Sequence, residues 1–415
     1  GRPGPVLVDL PKDVIKQTAT YYGKPADKPR GYKPVTTGHN SQIAKAAKLL
    51  SEAKKPVLYV GGGVMLGDAH KELTDFAKRF NLPVTTTLMG LGCFPENDKE
   101  SLGMLGMHGT WYANMAVTEC DALIAIGARF DDRVTGRLDG FSPKSKKVHI
   151  DIDPACISKN VKVDIPIVGD VKNILPQLDQ MLQSMPEPEI DEWWETINRW
   201  KEEHPLVIPD SDDMIMPQYM IEAISKATKG EAIMVADVGQ HQMWVAQHYK
   251  FNHPRSWLNS GGLGTMGYGF PAAVGAAFGK PYRDIVCVTG DGGFQMTAFE
   301  LSTAVEHNLP VKVAIMNNNY LGMVRQWQEL FYKERYAHTH MKPGNPDFVK
   351  LAESYGAVGM RATTKDEVMP MLEEAMAIND RPVVMDFVVS EDTNCYPMVP
   401  SGAALYEMIE EGDIK

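Results

Sequence analysis

The 415-residue chain is 44% hydrophobic and 23% charged, a globular composition too long for one core, so two or three domains are expected. Its formal net charge of -11, with Lys and Arg scattered, speaks against nucleic acid as a partner, and without an apolar run of about 18 residues no membrane span is expected. Five cysteines (Cys93, Cys120, Cys156, Cys287, Cys395) include no CxxC pair, which argues against zinc and disulfides and for a reducing, cytoplasmic setting.

Along the chain, Val6 to Leu10 reads as a lone strand stopped by Pro11, with nothing like a signal peptide around it. Residues 1–21 look like the end of a domain entered partway through, and residues 22–40, rich in Pro, Lys and Gly, read as a linker. Ile43, Ala46, Ala47, Leu49 and Leu50 then recur at helical spacing. Strand Pro56–Val60 follows and ends in Gly61, Gly62 and Gly63. A helix over about 68–80 and strands Pro83–Thr87, Ala122–Gly127 and Val148–Ile152 continue a βα alternation, which predicts a parallel sheet in a domain spanning 41–183.

Residues 184–212 turn polar and proline-bearing, a second linker with a helical stretch inside it. A second α/β domain is expected over 213–390, with strands Ala232–Val238, Asp284–Thr289, Val311–Asn317 and Val383–Val389, and a C-terminal arm over 391–415. The predicted fold class is α/β, two tandem doubly wound parallel-sheet domains.

The strongest chemical signal is DIVCVTGDGGFQ (284–295) followed by VKVAIMNNNYLGMV (311–324). Both are strand-to-helix turns, which at the carboxyl ends of adjacent parallel strands share one crevice. Gly290, Gly292 and Gly293 lack a Cβ and would let backbone N–H groups reach a phosphate. Asp291, the Asn318 amide oxygen and the Tyr320 carbonyl are hard oxygen donors suited to Mg²⁺, with diphosphate oxygens and water completing the shell. The GDG…NN spacing resembles the fingerprint of thiamine-diphosphate enzymes, which puts the metal on Asp291 and Asn318. In VADVGQHQMW, Gln240 and His241 open a helix beside the same crevice; His241 alone would pass as an ordinary helix-start residue. Met266, in the run NSGGLGTMGYGF with Gly264, is either a core filler or the apolar strut that this class uses to bend its cofactor.

Further segments, LGMLGMHGT (102–110), GARFDDRVTGR (127–137), LGMVRQWQELFY (321–332) and PMVPSGAAL (397–405), are similar to the catalytic subunits of acetohydroxyacid synthase (acetolactate synthase). The resemblance runs over nearly the whole chain, with Asn319 and Tyr320 where relatives vary. It implies thiamine-dependent decarboxylation of pyruvate and ligation to a second 2-ketoacid, pyruvate or 2-ketobutyrate. The products, acetolactate and acetohydroxybutyrate, are those of branched-chain amino acid synthesis. It adds Leu321, Gly322 and Met323 to the cofactor site and makes Trp327 a wall of the substrate pocket.

It also implies FAD in the central domain, lined by Gly61, Gly62, Gly63, Thr87, Leu88, Met107, His108, Arg129, Asp151, Ile152, Gly169 and Asp170. For the glycine run a plain turn remains an alternative, as does a solvated charge beside Asp131 and Asp132 for Arg129; Arg133 is expected towards a substrate channel. A homo-oligomer, dimer or tetramer, and a small regulatory subunit are the partners implied. The catalytic glutamate of this family lies in a preceding pyrimidine-binding domain, and no glutamate here has the matching context, so little activity is expected of this chain alone. Rival readings are pyruvate oxidase, glyoxylate carboligase and a non-catalytic flavin-binding relative.

Overall fold

The computed structural model describes residues 1–23, 31–342 and 344–413, so part of the expected first linker, residues 24–30, lies outside the described residues. Two six-stranded sheets, parallel throughout, follow one another along the chain. The first contains β1 (Pro56–Val60), β2 (Val84–Thr86), β3 (Ser101–Met104), β4 (Ala122–Ile126), β5 (Lys146–Asp151) and β6 (Ile165–Val168), in the order β3-β2-β1-β4-β5-β6. The second contains β7 (Ile233–Ala236), β8 (Trp257–Leu258), β9 (Ile285–Gly290), β10 (Lys312–Asn317), β11 (Val358–Ala362) and β12 (Val383–Val388), in the order β11-β12-β10-β9-β7-β8.

Interior strands such as PVLYV and ALIAI are buried along their whole length, as expected where helices cover both faces of a parallel sheet. The strands the sequence did not reveal, β3, β6, β8 and β11, are the four edges, and each is only partly buried. Half-exposed edges carry no continuous apolar run to read.

Two expectations are corrected. Val6 to Leu10 forms no strand: these residues are extended and exposed, Leu7 at 94%, because among the described residues no strand pairs with them. The helix Asp191–Glu203, expected inside a linker, is fastened to the first domain. Trp193 and Trp194 are buried in its core, the Trp193 indole donates to the Pro56 carbonyl (3.2 Å), and Trp194 donates to the Asn81 carbonyl (2.7 Å).

The chain reverses its winding between β1 and β4 in the first sheet and between β7 and β9 in the second, where it turns back once more at the edge strand β11 to insert β12 beside β10. At the first reversal the glycines serve close approach of two backbones. Gly61 N–H donates to the Ile126 carbonyl and Gly63 N–H to the Gly127 carbonyl, both at 2.9 Å. A Cβ on Gly63 would stand 2.6 Å from Gly127 Cα, where backbone cannot yield. Gly63→Ala is therefore expected to destabilise the first domain by roughly 1–3 kcal/mol, as overpacking does, and to lower its melting temperature in calorimetry whether or not cofactors are present.

The domains touch directly. Trp257 of the second donates to the Leu88 carbonyl (3.0 Å), Phe251 N–H donates to Glu96 Oε2 (2.8 Å), and Asn97 N–H to Asn252 Oδ1 (3.1 Å). The C-terminal arm crosses back over the first domain, where Val399 N–H donates to the Met107 carbonyl (2.7 Å) and Arg137 N–H to the Ala403 carbonyl (2.9 Å).

Candidate active site

The reversal between β7 and β9 opens a cleft at the carboxyl ends of the strands, lined among others by His241, Met266, Asp291, Asn318 and Tyr320. Strand β9 runs straight into the helix Asp291–Gln295, so Asp291 sits in the first turn, buried. Its Oδ1 accepts from Gly292 N–H (3.0 Å) and its Oδ2 from the Asn345 amide (2.7 Å). The charged group bearing on it is another carboxylate, Asp386, and burial, the main cause, pushes its pKa up to about 6. A buried carboxylate without a counter-charge is costly, and a divalent cation would relieve it.

The three asparagines after β10 have separate tasks. Asn317 donates to Asp386 Oδ1 (2.9 Å) and ties β10 to β12. Asn318 holds its Oδ1 in the turn, accepting from Tyr320 N–H at 3.1 Å, and lines the cleft. Asn319 takes the left-handed conformation (φ 59°) and donates to Glu391 Oε1 (2.8 Å). Among the described residues no group of three His, Cys, Asp or Glu side chains could hold a metal, so a cation here would rest on one carboxylate plus amide and carbonyl oxygens.

His241 faces the same cleft, and its Nε2 is buried without a partner among the described residues. Burial pushes its pKa down to about 4, so the ring is neutral at pH 7 and carries a single N–H, which can serve either the Asp237 backbone or, through Nε2, the cleft. Gly290 leaves room for the ring: a Cβ there would stand 3.2 Å from His241 Cε1. Gln240 also lines the cleft, with its side-chain nitrogen already engaged. Its amide donates to Gln326 Oε1 (2.8 Å) and to the Thr393 carbonyl (3.1 Å).

Met266 and Leu321 flank Gly292, where a Cβ would lie 2.8 Å from Leu321 Cδ2 and 3.9 Å from Met266 Cε. The turn carrying Met266 is fixed by a residue that sequence reasoning missed. Asp237, buried just past β7, accepts from Val238 N–H (2.8 Å), Gly267 N–H (3.0 Å) and Gly269 N–H (2.8 Å). Its signal was an acid immediately after an apolar strand, in VADVG. Gly293 makes space for it, since a Cβ there would meet Asp237 Oδ1 at 2.6 Å. Gly264 is in the left-handed conformation (φ 58°) and exposed; Gly322 and Met323 line the cleft. Trp327 lies outside the cleft lining, one turn beyond Met323, with its ring 5.1 Å from that of Phe331.

The residues expected at a flavin gather along one edge of the first sheet, because they follow the carboxyl ends of all six strands: Gly61 to Gly63 after β1, Thr87 and Leu88 after β2, Met107 and His108 after β3, Arg129 after β4, Asp151 and Ile152 ending β5, Gly169 and Asp170 after β6. Arg129 is ion-paired with Asp131, and the backbone of Gly262 from the second domain lies beside its guanidinium. His108 is buried under the C-terminal arm, its Nδ1 3.3 Å from the Pro397 carbonyl, and burial pushes its pKa down to about 4. Asp151 accepts from Asp153 N–H (2.8 Å), and Asp170 caps the helix Val171–Gln183.

Two doubly wound domains with this cleft at the second reversal define a thiamine pyrophosphate enzyme: the family model for the C-terminal TPP binding domain matches residues 237–387, and that for the central domain of the same enzymes matches residues 43–178. The chain belongs to the acetolactate synthase large-subunit family. It is 49% identical to the acetolactate synthase large subunit of Haemophilus influenzae, with 99% of this chain and 72% of that protein aligned. It is 51% identical to the large subunit of Corynebacterium glutamicum (97% and 66%) and 46% identical to the isozyme 3 large subunit of Escherichia coli (98% and 72%). The chain thus spans 66% to 72% of the length of these relatives. No helix among the described residues is long and apolar enough to cross a membrane.

Proposed function

We propose that this chain carries the diphosphate- and Mg²⁺-binding end of an acetolactate synthase active centre. The reaction is decarboxylation of pyruvate and ligation to pyruvate or 2-ketobutyrate, in branched-chain amino acid synthesis. The observation that carries the reading is one cleft holding a buried carboxylate without counter-charge, Asp291, beside an amide oxygen, Asn318, and an unpartnered imidazole nitrogen, His241 Nε2. These fit a magnesium diphosphate: Asp291, Asn318 and the Tyr320 carbonyl would hold the cation, and His241 would donate to a phosphate oxygen.

Thiamine diphosphate, when bound, supplies the nucleophilic carbon and the electron sink for loss of CO₂. The chain's own residues bind and orient. Met266 would pack against the cofactor's body from a turn that Asp237 immobilises, and Gly290, Gly292 and Gly293 would leave the floor open for the diphosphate. FAD is assigned to the carboxyl edge of the first sheet, with Arg129 exchanging its partner Asp131 for a phosphate. A second copy of the chain and a small regulatory subunit complete the proposed assembly; the name "large subunit" carried by the relatives supports the latter.

Product analysis with the complete enzyme tests the reading. Acetolactate is expected; peroxide with acetyl phosphate, or tartronate semialdehyde, would replace it with a pyruvate oxidase or a glyoxylate carboligase. Trp327 is proposed to act on the acceptor. Because it lies off the cleft lining, Trp327→Leu is expected to leave thiamine diphosphate affinity within about twofold while shifting the ratio of acetohydroxybutyrate to acetolactate, since contacts in an apolar pocket are worth roughly 1–3 kcal/mol. Competition between the two acceptors in one assay measures the shift, and an unchanged ratio removes Trp327 from the acceptor pocket.

A further inference from the structure

The C-terminal arm is stitched to the cleft by three glutamines, of which only Gln240 was expected at the site. Gln326 is completely buried on the helix Gly322–Phe331. Its side-chain amide pairs with the backbone of Cys395 in both directions: Oε1 accepts from Cys395 N–H (2.8 Å) and Nε2 donates to the Cys395 carbonyl (3.1 Å). The same Oε1 accepts from Gln240 Nε2 (2.8 Å), and Gln240 also donates to the Thr393 carbonyl (3.1 Å). Seven residues along the Gln240 helix, Gln247 donates to the Tyr396 carbonyl (3.1 Å) and to the His108 carbonyl of the first domain (3.0 Å).

We propose that Gln326 is a positioning residue: it holds Gln240 at the diphosphate cleft and ties that placement to residues 393–395 of the C-terminal arm. Gln240 opens its helix in the cleft lining and commits both donors of its side-chain amide to this network, which fixes where its side chain lies at the cleft. Gly322 keeps its amide oxygen accommodated, since a Cβ there would collide with Gln240 Oε1 at 2.1 Å. Removing Gln326's oxygen frees Gln240 to turn and leaves the Cys395 N–H buried without an acceptor. The effect at the cleft passes through Gln240, not through contact with the cofactor.

This inference rests on the cleft binding magnesium thiamine diphosphate, and the experiment separates the two. In the complete enzyme, cofactor dissociation constants are measured for wild type, Gln326→Met, Gln240→Met and the double variant. Each single change is expected to weaken binding about tenfold, the scale of one lost buried hydrogen-bond partner, and the double variant to bind no more weakly than Gln240→Met alone. Losses that multiply, or wild-type affinity in Gln326→Met, overturn the proposal. A second variant guards against general loosening of the arm: Gln247→Met removes the bonds to the Tyr396 and His108 carbonyls but leaves the Gln326–Gln240 pair intact, and is expected to bind within about threefold of wild type. A loss as large as that of Gln326→Met also overturns the assignment. If wild type itself fails to bind magnesium thiamine diphosphate, it is the reading of the cleft that falls, and the inference with it.

Discussion

Asp291→Asn is expected to abolish Mg²⁺-dependent binding of thiamine diphosphate while leaving the metal-free protein folded and no less stable, within about 1 kcal/mol. The affinity loss should be on the order of 10²-fold or more, because Asp291 is the one anionic oxygen donor proposed for the cation. The stability expectation follows from the direction of its pKa. Burial raises the folded-state value from 3.8 to about 6, so the folded protein penalises the ionised form. Stability tied to this group is therefore fully present below pH 3.8 and is lost as pH rises through about 6. Asn carries no such charge. The melting temperature of metal-free Asp291→Asn should gain on wild type across that window and keep the gain above it. Titration calorimetry with and without Mg²⁺, beside a pH series of melting curves, measures both halves; unchanged affinity would remove Asp291 from the metal site.

Asp237→Ala should damage fold and site together. It withdraws the acceptor from three backbone N–H groups, those of Val238, Gly267 and Gly269, the last two in a buried turn. Unsatisfied buried donors cost about 1–3 kcal/mol each, so a loss of roughly 3 kcal/mol or more is expected, several degrees in melting temperature for a domain of this size. The turn that presents Met266 would then lose its anchor, and cofactor affinity should fall although Asp237 touches no cofactor. Asp237→Asn, which keeps one acceptor oxygen, should fall between Ala and wild type on both measures. A normal melting temperature for Asp237→Ala would show that the turn holds Met266 by other means.

Much of this protein was legible before any coordinates. The eight interior strands stood out because a parallel strand covered on both faces must be apolar throughout, and the GDG and NNN turns stood out because they end such strands. Asp291, Asn318 and His241 were found at such strand ends and Met266 through the family resemblance, and the structure brings all four to one cleft.

What the sequence by itself determined was therefore what local periodicity and turn chemistry at the end of a strand govern: two parallel α/β units and the turns that line the cleft. Only the tertiary structure decided the rest. The edge strands β3, β6, β8 and β11 exist because a neighbour offers a ladder, not because their own residues form an apolar run. The helix Asp191–Glu203 joins the first domain because Trp193 and Trp194 find carbonyls at Pro56 and Asn81, far away in the chain. Asn317, Asn318 and Asn319 are identical in composition, yet one braces a sheet, one lines the cleft and one holds the arm. Each buried polar group must find its partner in three dimensions, and nothing in the spacing of residues along the chain states which partner folding will bring to it.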